Sequence, residues 1–293
     1  MKIIALATCH NRANMTLQAL DSILNQQFLS KDIEMDVCLV DDGSIDGTSS
    51  LVREKFPNVL ILQGSGNLFW AGGMRFGWNQ YVKNQYFDYL LVFNDDIVLY
   101  SGVLNKLVSL AESSDGEQKR GLVLVGSFKD PTTGNVTYGG VNNSSWWHPL
   151  RFTQVEPSDD PIECLTFNMN FALINKYALS KIGFLSPSFQ HAKSDFDYGL
   201  RLRAAGGKVV IMPGYAGECK RNFEDLDANI SDVSLRDRWN KLLGVKKQPP
   251  YERAVYYRRH AGFLWPLYWV LPYLRIPMQS LLYFIKYKVG KFL

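Results

Sequence analysis

The residues best suited to chemistry fall in three short acidic clusters: Asp41-Asp42, Asn94-Asp95-Asp96 and Asp195-Phe196-Asp197. The first two each close an apolar run of β character, Val37–Val40 and Tyr89–Phe93. That places both at the carboxyl edge of one sheet, where open α/β folds bind ligands. Carboxylates there can accept from a nucleotide's ribose or base, hold a hard cation through oxygen, or take a proton from an alcohol. Each cluster also has a plainer use. Asp42-Gly43-Ser44 starts a turn and Asp46 N-caps the helix entered at Gly47-Thr48, while Asp195 and Asp197 serve the dipole of a helix over Phe196–Ala205. For Asn94-Asp95-Asp96 the cost of two adjacent carboxylates beside an apolar strand favours a compensating cation.

A glycine-bearing segment, Gly64 to Met74, follows the third apolar run. It fails as a dinucleotide fingerprint because Phe69 stands where the third glycine belongs. Gly72-Gly73 at a helix start is expected to bring bare N–H groups to a phosphate or sugar. Asn67 is a donor-side candidate, and Trp70 reads equally as core.

Positioning these clusters requires alternating strands and helices, and the pattern supplies them. Runs of β type at Ile3–Thr8, Val37–Val40, Val59–Leu62, Tyr89–Phe93 and Leu122–Val125 alternate with helical periods at Thr16–Leu24, Thr48–Phe56, Gly72–Val82 and Val103–Ala111. This predicts an α/β fold with a mostly parallel central sheet and helices on both faces. Residues 128 to 162 are turn-rich and carry Trp146-Trp147, as in a hairpin and a mobile substrate-facing loop. Cys164–Ile174 reads as strand, Lys176–Ile182 as helix, and Lys208–Met212 as a strand closed by Pro213-Gly214.

The 293 residues and 46% apolar content support one large domain, 1–220, and an appendage, 221–293. From Arg236 to Leu293 there are 12 Lys/Arg against 2 Asp/Glu, so the tail is near +10 within a chain of net charge +4. Its apolar runs, Phe263–Leu274 and Ile276–Ile285, are interrupted by Pro266, Pro272, Arg275 and Pro277. Neither reaches the roughly 18–20 residues of a membrane span. With Trp265, Tyr268, Trp269 and Tyr273 beside Arg258, Arg259, Lys286, Lys288 and Lys291, the tail suits a membrane surface. The other use for it is packing as a helical pair on the main domain or on a second copy in a homodimer. Basic residues set among aliphatic and aromatic runs argue against nucleic acid. Four separated cysteines without a C-x-x-C pair, and no signal-peptide pattern, point to the cytoplasm.

Taken in order, Thr8-Cys9-His10-Asn11-Arg12, Val40 to Thr48, Phe93-Asn94-Asp95-Asp96-Ile97, and Ser194-Asp195-Phe196-Asp197 with Arg201-Leu202-Arg203 and Gly206-Gly207 resemble the family 2 inverting glycosyltransferases of the GT-A fold. The likeness covers residues 1–220 and is nearest a rhamnosyltransferase-like branch. It implies a nucleotide-diphosphate sugar donor, UDP- or dTDP-linked, and a divalent cation, Mg²⁺ or Mn²⁺. Thr8, Asn11, Arg12, Asp41, Asp42, Asn67, Gly72, Gly73, Asn94 and Asp95 would bind the donor and Asp96 the metal. Asp195, with Asp197 as a further family acid, would be catalytic. Two positions depart from the pattern: Ser194 stands where Glu is common, and Glu218 or Cys219 where a metal-ligating His is usual.

The expected activity is sugar transfer to a glycan or lipid-linked glycan in cell-surface polysaccharide synthesis, at the inner face of the membrane. A sugar nucleotidyltransferase is the rival enzyme, but its Gly-rich amino-terminal loop has no counterpart in Ala7 to Arg12. A non-catalytic glycan-binding protein of the same fold is the other rival.

Overall fold

The computed structural model describes residues 1–26, 28, 30–114, 120–221, 235–245, 247 and 249–284. Lys286, Lys288 and Lys291 lie outside the described residues. The chain divides into two compact units, Met1–Ser144 with Phe152–Arg221, and Ser145–Arg151 with Asn222–Leu293.

The first unit begins β1 (Lys2–Cys9), α1 (Ala13–Leu24), β2 (Glu34–Asp41), α2 (Thr48–Lys55), β3 (Leu60–Gln63), α3 (Phe69–Gln80), β4 (Tyr89–Phe93), β5 (Val98–Leu99), α4 (Val103–Ser113) and β6 (Leu122–Lys129). It continues β7 (Val136–Tyr138), β8 (Gly140–Asn143), β9 (Phe152–Gln154), β10 (Ile162–Glu163), β11 (Thr166–Phe167), β12 (Phe171–Asn175), α5 (Lys176–Ile182), α6 (Ser194–Ala204) and β13 (Lys208–Glu218). The main sheet runs β10-β13-β6-β12-β4-β1-β2-β3, with β5 on β13 and β7 on β6. Its β4-β1-β2-β3 half is parallel, as is β6 with β13. β12 enters antiparallel to both β4 and β6. Strand side chains alternate between faces, and β1 displays the consequence. Ile3, Ala5 and Ala7 join the core under α1, α2 and α4, whereas Ile4 and Leu6 join the core under α3, α5 and α6.

Two expectations change. Cys164–Ile174 is not one strand: β11 belongs to a small sheet of order β11-β8-β9, and the chain breaks at Asn168–Asn170 before β12 joins the main sheet. β13 does not stop at Met212 but passes Pro213-Gly214 through a register shift and reaches Glu218. Its far end is held by β5 so closely that a side-chain carbon on Gly217 would lie 2.0 Å from the Val98 carbonyl oxygen. All four cysteines are buried free thiols.

The second unit contains α7 (Leu235–Leu243), α8 (Pro250–His260) and α9 (Trp265–Phe284). Pro250 starts α8 where no intrahelical N–H is needed. Arg253 is buried, donates to the Tyr268 and Trp269 carbonyls at 2.6 and 3.0 Å, and lies over the Tyr257 ring. Trp147 and His148, expected on a substrate-facing loop, belong to this unit instead. The Tyr268 hydroxyl donates to the Trp147 carbonyl at 2.6 Å, and the His148 ring packs on Tyr257 and Tyr268. No helix among the described residues is long and apolar enough to cross a membrane.

Candidate active site

Because β1, β2 and β4 are parallel, their following loops share one sheet edge, and the first loops are joined by the acidic residues read from sequence. Asp41 accepts from the Ser44 N–H at 2.9 Å and from the Ser49 hydroxyl. Asp42, 4% exposed, accepts from the Gly66, Leu68 and Phe69 N–H groups at 2.8, 2.8 and 3.1 Å. Both carboxylates are thus held by the protein's own donors. Asp42 satisfies the free N–H groups at the start of α3. Asp46 serves two helices at once, accepting from Thr48 and from the Ala13 N–H that opens α1.

Asn11 adopts a left-handed φ of 50° and ties two loops together, donating its N–H to Ser44 Oγ and accepting the Ile45 N–H. Phe69, at the start of α3, and Lys193, just before α6, share that unfavourable conformation. Asn67 is exposed and its carbonyl accepts from Gln190 Nε2. The glycine expectation is corrected. The Ala71 and Gly72 N–H groups donate to the Gln190 carbonyl, so Gly72 has no bare N–H for phosphate. Gly73 is required for packing, since an added Cβ would sit 2.3 Å from Thr8 Oγ1.

Replacing Asp42 with Ala leaves three backbone donors without an acceptor and is expected to cost about 3 kcal/mol of stability. Urea unfolding measures this, and an unchanged midpoint with unchanged m would refute the assignment.

The second cluster is built around Arg12. Its guanidinium reaches Asp95 Oδ1 at 3.2 Å and Asp96 Oδ2 at 3.1 Å. Burial pushes the Asp95 carboxyl up to about 6, against the opposing pull of Arg12. Asn94 Oδ1 accepts from the Trp70 indole N–H at 2.8 Å, so Trp70, ambiguous in the sequence, positions Asn94. Cys219 Sγ lies 3.7 Å from Asp96 Oδ1, and burial raises its thiol far above the ordinary value. As a neutral thiol it donates to Asp96. Glu218 accepts from the Tyr100 hydroxyl at 3.0 Å. Among the described residues no group of three His, Cys, Asp or Glu is arranged to hold an ion. Asp95 and Asp96 do offer hard oxygens, which fits Mg²⁺ or Mn²⁺ completed by phosphate oxygens and water.

The third cluster separates its two acids. Asp197 is fully buried and paired with Arg201 at 2.7 Å, and Arg201 also donates to the Ile182 and Phe184 carbonyls. A carboxylate so enclosed braces α6. Asp195 is half-buried and accepts the Phe196 N–H at 2.8 Å. Loss of hydration raises its carboxyl above the usual range.

Hydrogen bonds connect the first two clusters. The loop bound by Asp42 opens α3, whose Trp70 holds Asn94. The Asn94 N–H donates to the Asn170 carbonyl at 2.9 Å. Antiparallel β12 is what brings this turn alongside the end of β4.

Comparison with known proteins agrees with this architecture. Residues 5–183 match the model of the family described as "Glycosyl transferase family 2". A stretch of 120 residues is 28% identical to the "Uncharacterized glycosyltransferase MG060 homolog" of Mycoplasma pneumoniae, covering 39% of this chain and 38% of that protein's length. The fold resembles S. aureus TarS 1–349 at a TM-score of 0.51 and 15% identity, over 87% of this chain and 69% of that one. It also resembles the mannosyltransferase PcManGT from Pyrobaculum calidifontis, solved in complex with GDP-Man and Mn²⁺. There the TM-score is 0.53 at 15% identity, over 87% and 64% of the two chains.

Proposed function

The chain belongs to glycosyl transferase family 2, and from that premise we propose that it transfers a sugar from a nucleotide-diphosphate donor to a hydroxyl of a glycan or lipid-linked glycan, with inversion. The carrying observation is the placement of Asp95 and Asp96 side by side with Arg12 at the end of β4, the edge at which the parallel strands β1, β2 and β4 all finish. A divalent ion held by Asp96, with Asp95 beside it, supplies charge neutralisation for the departing diphosphate. Arg12 adds a fixed positive charge at the same edge. Asn94, oriented by Trp70, faces the donor's sugar or ribose. Asp195 accepts the acceptor's hydroxyl proton as its oxygen attacks the anomeric carbon, and burial brings its basicity nearer neutral pH.

A thermal-shift panel of UDP-, dTDP- and GDP-sugars with and without Mn²⁺ tests the donor class, because a ligand bound to the native state raises its melting temperature. A rise with one donor that depends on Mn²⁺ is expected, by analogy with PcManGT, which holds its GDP-Man together with Mn²⁺. No response to any nucleotide sugar would favour a non-catalytic protein. A response to nucleoside triphosphate and sugar phosphate would favour a nucleotidyltransferase.

For the acceptor, the supporting feature is α9. Leu267, Leu271, Leu274 and Met278 are exposed at spacings of four, three and four, an arc of about 60° on one side of the helix. Phe263, 88% exposed, precedes them. From Pro250 onward there are 7 Lys/Arg and a single acid, Glu252. An apolar stripe in so basic a segment complements anionic lipid and opposes pairing with its own copy. The protein is expected to float with vesicles containing about 30% phosphatidylglycerol and not with pure phosphatidylcholine. Leu267→Glu with Leu274→Glu should abolish flotation. A dimer that this double variant dissolves would assign the stripe to self-association instead.

A further inference from the structure

The sheet edge that carries Asp95 and Asp96 continues past β4. β12 is antiparallel to both β4 and β6, and β13 is parallel to β6, so β6 and β13 finish at the same edge as β4. Lys129 ends β6 and Glu218 ends β13. The Cys219 N–H donates to the Lys129 carbonyl at 3.1 Å, while Cys219 Sγ lies 3.7 Å from Asp96 Oδ1. Cys219 alone thus bridges Lys129 and the acid assigned to the cation.

Lys129 is half-buried, and its ammonium lies 5.6 Å from the centre of the Tyr100 ring and 5.9 Å from that of Tyr215. Among the described residues no oxygen is bonded to that ammonium. A ring face attracts a cation through its quadrupole but leaves the ammonium's N–H donors without an acceptor. The neighbouring carboxylates are turned to other donors. Glu218 is in register with Lys129 across the β6–β13 pair, yet it accepts from the Tyr100 hydroxyl at 3.0 Å. Glu156 accepts from the Tyr215 hydroxyl. Asp130 closes its own turn on the Thr132 and Thr133 N–H groups, both at 2.9 Å. Each phenol therefore ties up an acid that would otherwise neutralise Lys129. Lys220 and Arg221, both exposed, follow β13 and add positive charge to this end of the sheet.

A partly dehydrated charge without a counter-charge is costly, and an anion arriving at Lys129 would relieve that cost. The strand order β13-β6-β12-β4-β1 decides which substrate brings it. Arg12 and Asn94, the contacts proposed for the donor, follow β1 and β4, and β6 with β13 lies on the other side of β4. That side is left to the acceptor. We propose that Lys129 anchors an anionic group of the acceptor, a phosphate or a carboxylate, with Tyr100 and Tyr215 fixing the ammonium in place. This deepens the transfer reading and rests on it: the acceptor glycan carries a charged oxyacid close to the hydroxyl that receives the sugar. A lipid-linked phosphate and an acidic sugar both present that chemistry.

The test is a set of thermal-shift titrations of the full-length protein with methyl phosphate, glucuronate and glucose, without Mn²⁺, since a ligand bound to the native state raises the melting temperature. Wild type is expected to respond to at least one of the two anions and not to glucose, and the anion giving the larger shift identifies the source. Lys129→Met keeps the apolar stem and removes the charge, and should weaken that binding about tenfold, the loss of one charge-assisted contact. Lys129→Arg should keep it, because a guanidinium stacks on the same rings and meets either oxyacid in a fork. Tyr100→Phe releases Glu218 to pair with Lys129 and should weaken binding by less. The Mn²⁺-dependent shift given by the nucleotide sugar should be the same in Lys129→Met as in wild type. Equal anion responses from wild type and Lys129→Met, or none from either, would overturn the subsite and leave the transfer reading standing. Loss of the nucleotide-sugar response in Lys129→Met would move the lysine to the donor and overturn the acceptor assignment. A wild type that binds these anions through Lys129 yet ignores every nucleotide sugar would overturn the transfer reading, and the acceptor assignment with it. Melting temperatures without ligand show whether each variant has folded.

Discussion

Asp195→Asn is expected to lower kcat by about 10²–10⁴-fold, the range that a positioned proton acceptor contributes, while nucleotide-sugar binding persists. The substitution keeps shape and hydrogen bonding to the Phe196 N–H, so the loss isolates the proton. Stability should move the other way. Burial raises the folded-state pKa of Asp195 above its unfolded value. Its protonated form therefore stabilises the fold below the unfolded pKa, and that contribution is lost as pH rises through the folded one. Asn suffers no such loss. The melting temperature of the variant relative to wild type should increase from about pH 4 upward. A variant that is both inactive and less stable than wild type at alkaline pH would indicate a structural carboxylate.

The second large effect is expected at Asp96. Asp96→Ala should reduce transfer by about 10²–10³-fold, as removal of one preorganised electrostatic group does. It should also abolish the extra thermal stabilisation that Mn²⁺ gives in the presence of donor. Asp95 keeps its bond to Arg12 in the variant, so the fold should survive. A wild-type Mn²⁺ response from Asp96→Ala would remove Asp96 from the cation site. Cys219→His is the informative companion, because it places an imidazole beside Asp96 where a neutral thiol now stands.

The strand-helix half of the fold was legible because β1, β4 and Val37–Val40 of β2 are buried on both faces and read as unbroken apolar runs separated by helical periods. The partners of Asp42 were not. They are backbone N–H groups of Gly66, Leu68 and Phe69, and a backbone donor leaves no mark in the sequence. The pairing of Asp197 had a clue, since Arg201 follows at i+4 on the same helix. The break between β11 and β12 also had a signal, two asparagines in an otherwise apolar run at 168 and 170. The extension of β13 past Pro213-Gly214 had none, because the pairing resumes only through contact with β5 and β6. Trp70 matters through a single long-range hydrogen bond, which side-chain type alone does not predict.

Proton NMR of the first transfer product tests the central claim most directly. A single displacement assisted by Asp195 requires the anomeric configuration of the new linkage to be opposite to that of the nucleotide sugar, and the coupling constant of the anomeric proton should report that inversion. A product retaining the donor's configuration would contradict the account.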